Sequence, residues 1–128
     1  MTLDGVEPSE VEEFLRQLDL IVHERGGLWE TFTPSTVVLS DRTEAHGPWP
    51  VEACSQVLTQ WLDAGLISIF RVESAGAETV ELSVDEARAV LADSTSWRPA
   101  LGLYLFPSAE GESASARDWL AVLEDTSA

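Results

Sequence analysis

The chain has 128 residues, the size of one domain, and 45% of them are hydrophobic, enough to fill one core but not two. Its 23 acidic residues stand against seven arginines and no lysine, a formal net charge of -16, and a field of that sign repels phosphate backbones and acidic membrane surfaces. No apolar run approaches the roughly 18 residues that a bilayer crossing needs.

The N-terminus, Met1-Thr2-Leu3-Asp4, lacks the basic start and apolar stretch of a secretion signal, so a cytoplasmic location is expected. Val11, Phe14, Leu15, Leu18, Ile21 and Val22 recur at the three-and-four spacing of one helical stripe, which predicts a helix over Pro8 to Glu24. Ser9 with Glu12 has the pattern of a capping box, Glu10, Glu12 and Glu13 meet the positive end of the dipole, and Gly26-Gly27 supplies the stop. Leu28 to Phe32 reads as a short strand. Pro34 to Leu39, with Thr36, Val37 and Val38, reads either as a strand or as one helical turn. Ser40 to Gly47 is polar and reads as a loop, closed by Pro48-Trp49-Pro50, with Pro50 pre-set for the first position of a helix.

That second helix, Val51 to Ala64, places Cys54, Val57, Leu58, Trp61 and Leu62 on one face and stops at Gly65. Leu66 to Glu73 and Glu78 to Ser83 then form a hairpin around Ser74-Ala75-Gly76-Ala77. Ser83 and Glu86 repeat the capping-box pattern before a short helix with Val84, Ala87, Val90 and Leu91 at core spacing. Ser94 to Pro99 breaks that helix. Ala100 to Phe106 is a strand with Leu101, Leu103 and Leu105 on one face and Tyr104 and Phe106 on the other, so both faces are expected to be covered. Pro107 to Ser113 reads as a loop. A last helix, Ala114 to Leu123, offers Ala116, Trp119, Leu120 and Leu123 to the body, and the final five residues are expected to fray. The fold class is therefore α+β, a single domain.

The run VEACSQVLTQWLDAGLISIFRVESAGAETVELS, Val51 to Ser83, resembles the second half of a winged-helix domain, in which a helix ends in a small-residue stop before a Gly-Leu-Ile-like entry into a two-stranded wing. Ala64, Gly65, Leu66 and Ile67 fill that entry here. The resemblance implies winged-helix-like helices with a small antiparallel sheet, to which the first helix and Leu28–Phe32 would belong. It also implies a recognition helix that enters the major groove of DNA with Arg, Lys, Asn or Gln. This helix departs from that pattern: outside its apolar stripe it offers Glu52, Ser55, Gln56, Thr59, Gln60 and Asp63, none of them basic, and Glu73 and Glu78 flank the wing with Arg71 the one cation near. DNA is not an expected partner.

Residues suited to chemistry are sparse. No G-x-S-x-G, P-loop, dinucleotide fingerprint or calcium-loop pattern occurs. Cys54 cannot form an internal disulfide and sits among apolar helix positions, the setting of a buried, inert thiol. His23, at the end of the first helix, suits a capping role. His46 with Asp41 and Glu44 lacks any recognised ligand spacing, so no metal, cofactor or catalytic residue is expected. Carboxylate pairs such as Glu110 and Glu112 lie at helix starts or in loops, where acids serve solvation. Of the five tryptophans, Trp61 and Trp119 fall at core spacing; Trp49 and Trp97 lie in loops, as interface anchors or as caps folded onto the core.

Net charge divides as -6 over residues 1–30, -3 over 31–70 and -7 over 71–128, so no acidic tail accounts for it. The expected function is that of a non-enzymatic acidic binding module of the immunity-protein, antitoxin or nucleic-acid-mimic type, which occupies a basic protein partner. Glu52, Asp63, Glu73, Glu78 and Trp49 are the candidate contacts. The alternative is a winged-helix transcription regulator on DNA, a homodimer through its terminal helices.

Overall fold

The computed structural model describes residue 3 and residues 5–72, 79–98 and 102–126. Within them the chain is an α+β protein whose buried apolar side chains form one cluster, built around Phe14, Leu58, Trp61, Ile69 and Leu105. Among the described residues no helix is long and apolar enough to cross a membrane.

A single 3-10 turn, Pro8–Glu10, leads into helix α1 (Val11–His23), which buries Phe14, Leu15, Leu18, Ile21 and Val22 as their spacing requires. The expected capping box does not form: among the described residues no side chain caps the start of α1, and Glu12 and Glu13 lie at the positive end of the helix dipole. The stop also differs from expectation. Arg25, not a glycine, takes the left-handed conformation (φ 59°), and the N–H groups of Arg25 and Gly26 close on the carbonyls of Val22 and Ile21 at 3.1 and 2.8 Å. The glycine pair has another purpose. Gly26 accepts from the Leu105 N–H at 2.9 Å and Gly27 bridges to Tyr104, an approach in which a Cβ on Gly26 would lie 2.8 Å from the Ile21 side chain.

Leu28–Phe32 is not a strand. Leu28–Glu30 forms a 3-10 turn because the Glu30 carboxylate reaches back to accept the Gly27 N–H at 2.5 Å, while Leu28 is buried outright. Strand β1 (Ser35–Val38) settles the open choice for its segment, and it pairs antiparallel with β2 (Thr43–His46), from Ser35 opposite His46 to Val38 opposite Thr43. The expected loop over Ser40–Gly47 is thus half strand. Its side chains alternate between exposed and half-buried without ever reaching the core, so no apolar period marks it.

Helix α2 (Val51–Asp63) starts with Pro50 as its N-cap and stops at Gly65, whose φ of 80° only glycine adopts readily. Its buried face carries Ala53, Cys54, Val57, Leu58, Trp61 and Leu62. Strands β3 (Ile67–Val72) and β4 (Thr79–Glu81) form the expected hairpin, and β5 (Leu103–Pro107) adds on the far side of β3, all antiparallel, in the order β4-β3-β5. Ile67, Ile69, Leu103 and Leu105 face the core. The opposite face is half covered: Phe70 meets Phe106 at 4.5 Å, Trp29 stands edge-on to Tyr104 at 5.2 Å, and the Arg25 guanidinium lies 5.5 Å over Phe106. The ends of the expected hairpin and β5 strands at Glu73, Glu78, Ala100 and Leu101 lie outside the described residues.

Helix α3 (Val84–Ala92) has the capping box its sequence announces, with Ser83 and Glu86 exchanging backbone and side-chain bonds at 3.1 Å. These bonds hold the Glu86 carboxyl below its usual pKa. Ala87 and Leu91 are buried, but Val84 is exposed at the first turn. The expected loop over Pro107–Ser113 contains a short helix, α4 (Ala109–Ser113), started by Ser108, whose hydroxyl accepts from the Gly111 N–H at 2.9 Å and donates to the Gly65 carbonyl at 2.5 Å. Helix α5 (Ala116–Thr126) buries Trp119 and Leu123, while Ala116 and Leu120, expected in the core, are exposed.

Candidate partner-binding groove

The acidic positions read from the sequence lie apart. Glu52 is in the first turn of α2 and Asp63 at its last residue, 11 positions on, a separation of roughly 16 Å along the axis at about 1.5 Å per residue. Glu52 is exposed and borders a shallow cleft of about 380 Å³ between α2 and α3, with Ser55, Gln56 and Leu91. Asp63 sits where the negative end of the dipole meets a carboxylate unfavourably. Arg88 of α3 relieves it, with Nη2 2.6 Å and Nε 3.3 Å from Oδ1. Glu73 and Glu78 lie outside the described residues.

Trp49 is corrected as a contact residue. It is 6% exposed, its ring packs 5.1 Å from Phe14, and its backbone N–H is tied to the Phe32 carbonyl, because the chain between β2 and α2 must fold back over the core. Its indole nitrogen is buried without a hydrogen-bond partner among the described residues. Trp97 is likewise folded in, its N–H donating to the Val90 carbonyl at 2.9 Å.

Residues suspected of chemistry are occupied structurally. Cys54 is buried against the Thr31 carbonyl, 3.6 Å from Sγ, and burial pushes its thiol pKa up to about 12, the opposite of an activated nucleophile. His46 joins Glu10 at 3.0 Å through Nδ1 and Glu44 at 3.6 Å through Nε2, which fastens the β1–β2 hairpin to the turn before α1. That hydrogen bond and the nearby carboxylates raise its pKa. His23 donates from Nδ1 to the Asp19 carbonyl at 2.8 Å and packs 5.0 Å from Trp119.

Sequence reasoning missed one concavity. A groove of about 620 Å³ runs between α1 and α5. One wall is Pro8 of the preceding 3-10 turn followed by Val11, Glu12, Leu15, Arg16 and Asp19 of α1; the other is Ala116 and Leu120 of α5. Trp61 and Trp119 form the floor. Their indole N–H groups are consumed inside the protein, Trp61 on the Trp119 carbonyl at 3.0 Å and Trp119 on the Gly111 carbonyl at 3.2 Å, and both rings are buried, closing the groove from beneath. Leu120 is 42% exposed at the lip. The single cation of the wall, Arg16, turns both Nε and Nη2 onto Glu13, which holds the Glu13 carboxyl below its usual pKa. Glu12 stands outside every ion pair among the described residues on the α1 side, and Asp19 is a second acidic point whose Oδ1 lies 3.2 Å from His23 Nδ1. Leu120 is a sequence signal for this site in retrospect, since α5 has more apolar residues than its buried face uses.

No protein-family model, curated protein or solved structure matches this chain.

Proposed function

We propose that this chain is a non-enzymatic acidic module that binds a basic protein partner, of the type that immunity proteins, antitoxins and nucleic-acid mimics represent, and that it acts in the cytoplasm. The observation that carries the reading is the charge left over after internal pairing. Arg16, Arg25, Arg42 and Arg88 each face carboxylates of the chain itself, at 2.5, 3.6, 2.7 and 2.6 Å. Glu7, Glu12, Glu24, Glu52, Glu81 and Glu110 are exposed and outside every ion pair among the described residues. They are distributed over helices, turns and a strand, so the folded body, not a tail, projects the field.

The seven arginines sit on seven separate segments, and the outward side of α2 carries none. A duplex laid against that helix would meet Glu52 and an Asp63 whose counter-charge is already engaged, which supports protein over nucleic acid as the partner. The passage of α2 through the Gly65 stop into the β3–β4 hairpin supports winged-helix-like architecture over Val51–Ser83, turned to protein contact. Binding proceeds by long-range steering of a cationic surface, screened over about 10 Å at 0.1 M salt, then by carboxylate pairing with lysine or arginine around an apolar contact. The test is capture from a native lysate at low and high ionic strength. A basic protein retained at low salt and released at high salt is the expected result; no basic protein retained under either condition overturns the reading.

A further inference from the structure

We infer that the groove between α1 and α5 is the seat of a basic amphipathic helix of the partner, its cationic flank on Glu12 and Asp19 and its apolar face on Val11, Ala116 and Leu120. The inference rests on the reading that this chain binds a basic protein, and it adds the place and the shape of the ligand.

Dimensions come first. The α1 wall from Val11 to Asp19 spans eight residue steps, roughly 12 Å at about 1.5 Å each, and with the Pro8 turn before it accommodates about three helical turns. Glu12 and Asp19 are seven positions apart on the same face, so their carboxylates stand roughly 10 Å apart along the axis, the spacing of lysines or arginines at i and i+7 on a helix laid alongside. The apolar residues of such a helix at i+3 and i+4 fall between those cations, over the indole floor. Helix-in-groove recognition reads this i, i+3, i+4, i+7 pattern.

Polarity then selects among occupants. The groove has an acidic lip on α1 and an apolar lip on α5, so a ligand must be amphipathic with its polar edge positive. Both floor indoles have their N–H groups bonded internally, which leaves nothing to recognise a polar group at depth. A purely apolar small molecule would leave Glu12 and Asp19 unused. A second copy of this chain would bring another body of net charge -16 against the same lip.

The test uses the intact protein and a synthetic helical peptide of about 18 residues, long enough to hold helix in water, with lysines at i and i+7 and leucines at i+3 and i+4. Binding is read by calorimetry and by shifts of the indole NMR signals of Trp61 and Trp119. The peptide is expected to bind, and a scrambled peptide of equal charge to bind at least about tenfold more weakly. L120D is expected to weaken binding about tenfold although it makes the protein more negative, and E12Q/D19N likewise, while the equal neutralisation E24Q/E81Q changes affinity less than about twofold. All of these substitutions are at positions away from the packed core, and circular dichroism checks the fold. If L120D binds as the parent does, or if the two double neutralisations weaken binding equally, the groove assignment is overturned and the acidic-module reading stands. If neither peptide binds at low salt, the module reading itself is overturned.

Discussion

Trp61 of α2 gives its indole N–H to the backbone carbonyl of Trp119 on α5, and the two rings meet edge to face at 4.9 Å. This one relationship anchors the C-terminal helix to the centre of the protein and sets the depth of the groove above it.

The Trp61 tie is testable by W61F, which keeps the aromatic body and deletes the donor. Losing the bond leaves the Trp119 carbonyl short of a partner and is expected to cost about 1–2 kcal/mol in urea denaturation, whereas W119A, which empties the floor, costs about 3–5 kcal/mol. Equal stability of W61F and the parent would show that α5 is held by burial alone.

The link between His46 and Glu10 makes stability depend on pH. Glu10, Glu13 and Glu44 favour the imidazolium and raise the His46 pKa in the folded protein. The stabilisation is therefore fully present below the unfolded pKa of His and is lost as pH rises through the elevated folded value. The thermal midpoint of H46Q should fall below the parent's at about pH 5.5 and approach it at about pH 9. A gap that is constant or widens on the alkaline side contradicts the ion pair.

Gly111 packs α4 against the entry to β3. A Cβ at this position would collide with the carbonyl oxygen of Leu66 and lie 3.0 Å from the Trp119 ring. G111A is expected to cost about 1–3 kcal/mol, as overpacking of a rigid contact does. Parent-like unfolding of G111A would rule out so close an approach.

Cys54 lies on the buried face of α2 and its thiol is pushed up to about 12 by burial. At neutral pH an aromatic disulfide reagent should leave the native protein unlabelled and react at once when denaturant is added. Rapid labelling of the native state would place the thiol near the surface.

The sequence made these elements legible to different degrees, for reasons visible in particular residues. Helices α1, α2 and α3 follow from apolar spacing and, at Ser83, from a cap that forms as written. The hairpin after Gly65 follows from its β-rich runs. Strand β2 was hidden because Thr43, Glu44, Ala45 and His46 bury no face; it pairs only with β1 and leans on Glu10. Helix α4 was hidden because five polar and small residues carry no period, and its cause is the contact of Ser108 and Gly111 with the Gly65–Leu66 turn. Leu28–Phe32 looked like a strand by composition, but the Glu30 carboxylate drew Gly27 into a turn. Trp49, suited by its loop position to an exposed anchor, is drawn in by Phe14. The groove depends on the distance between α1 and α5, a tertiary quantity; Leu15 reads as core and is core, Val11 is half-buried, and the exposure of Leu120 marks the open edge.

The most direct test of the central claim, that this surface is built for cations carried by protein and repels polyanions, is fluorescence anisotropy in low-salt buffer with a labelled mixed-sequence DNA duplex in one cell and the labelled lysine-bearing helical peptide in the other. The account predicts saturable binding of the peptide that weakens steeply with added salt, and no association with the duplex. Tight binding of the duplex, with the peptide left free, would contradict it.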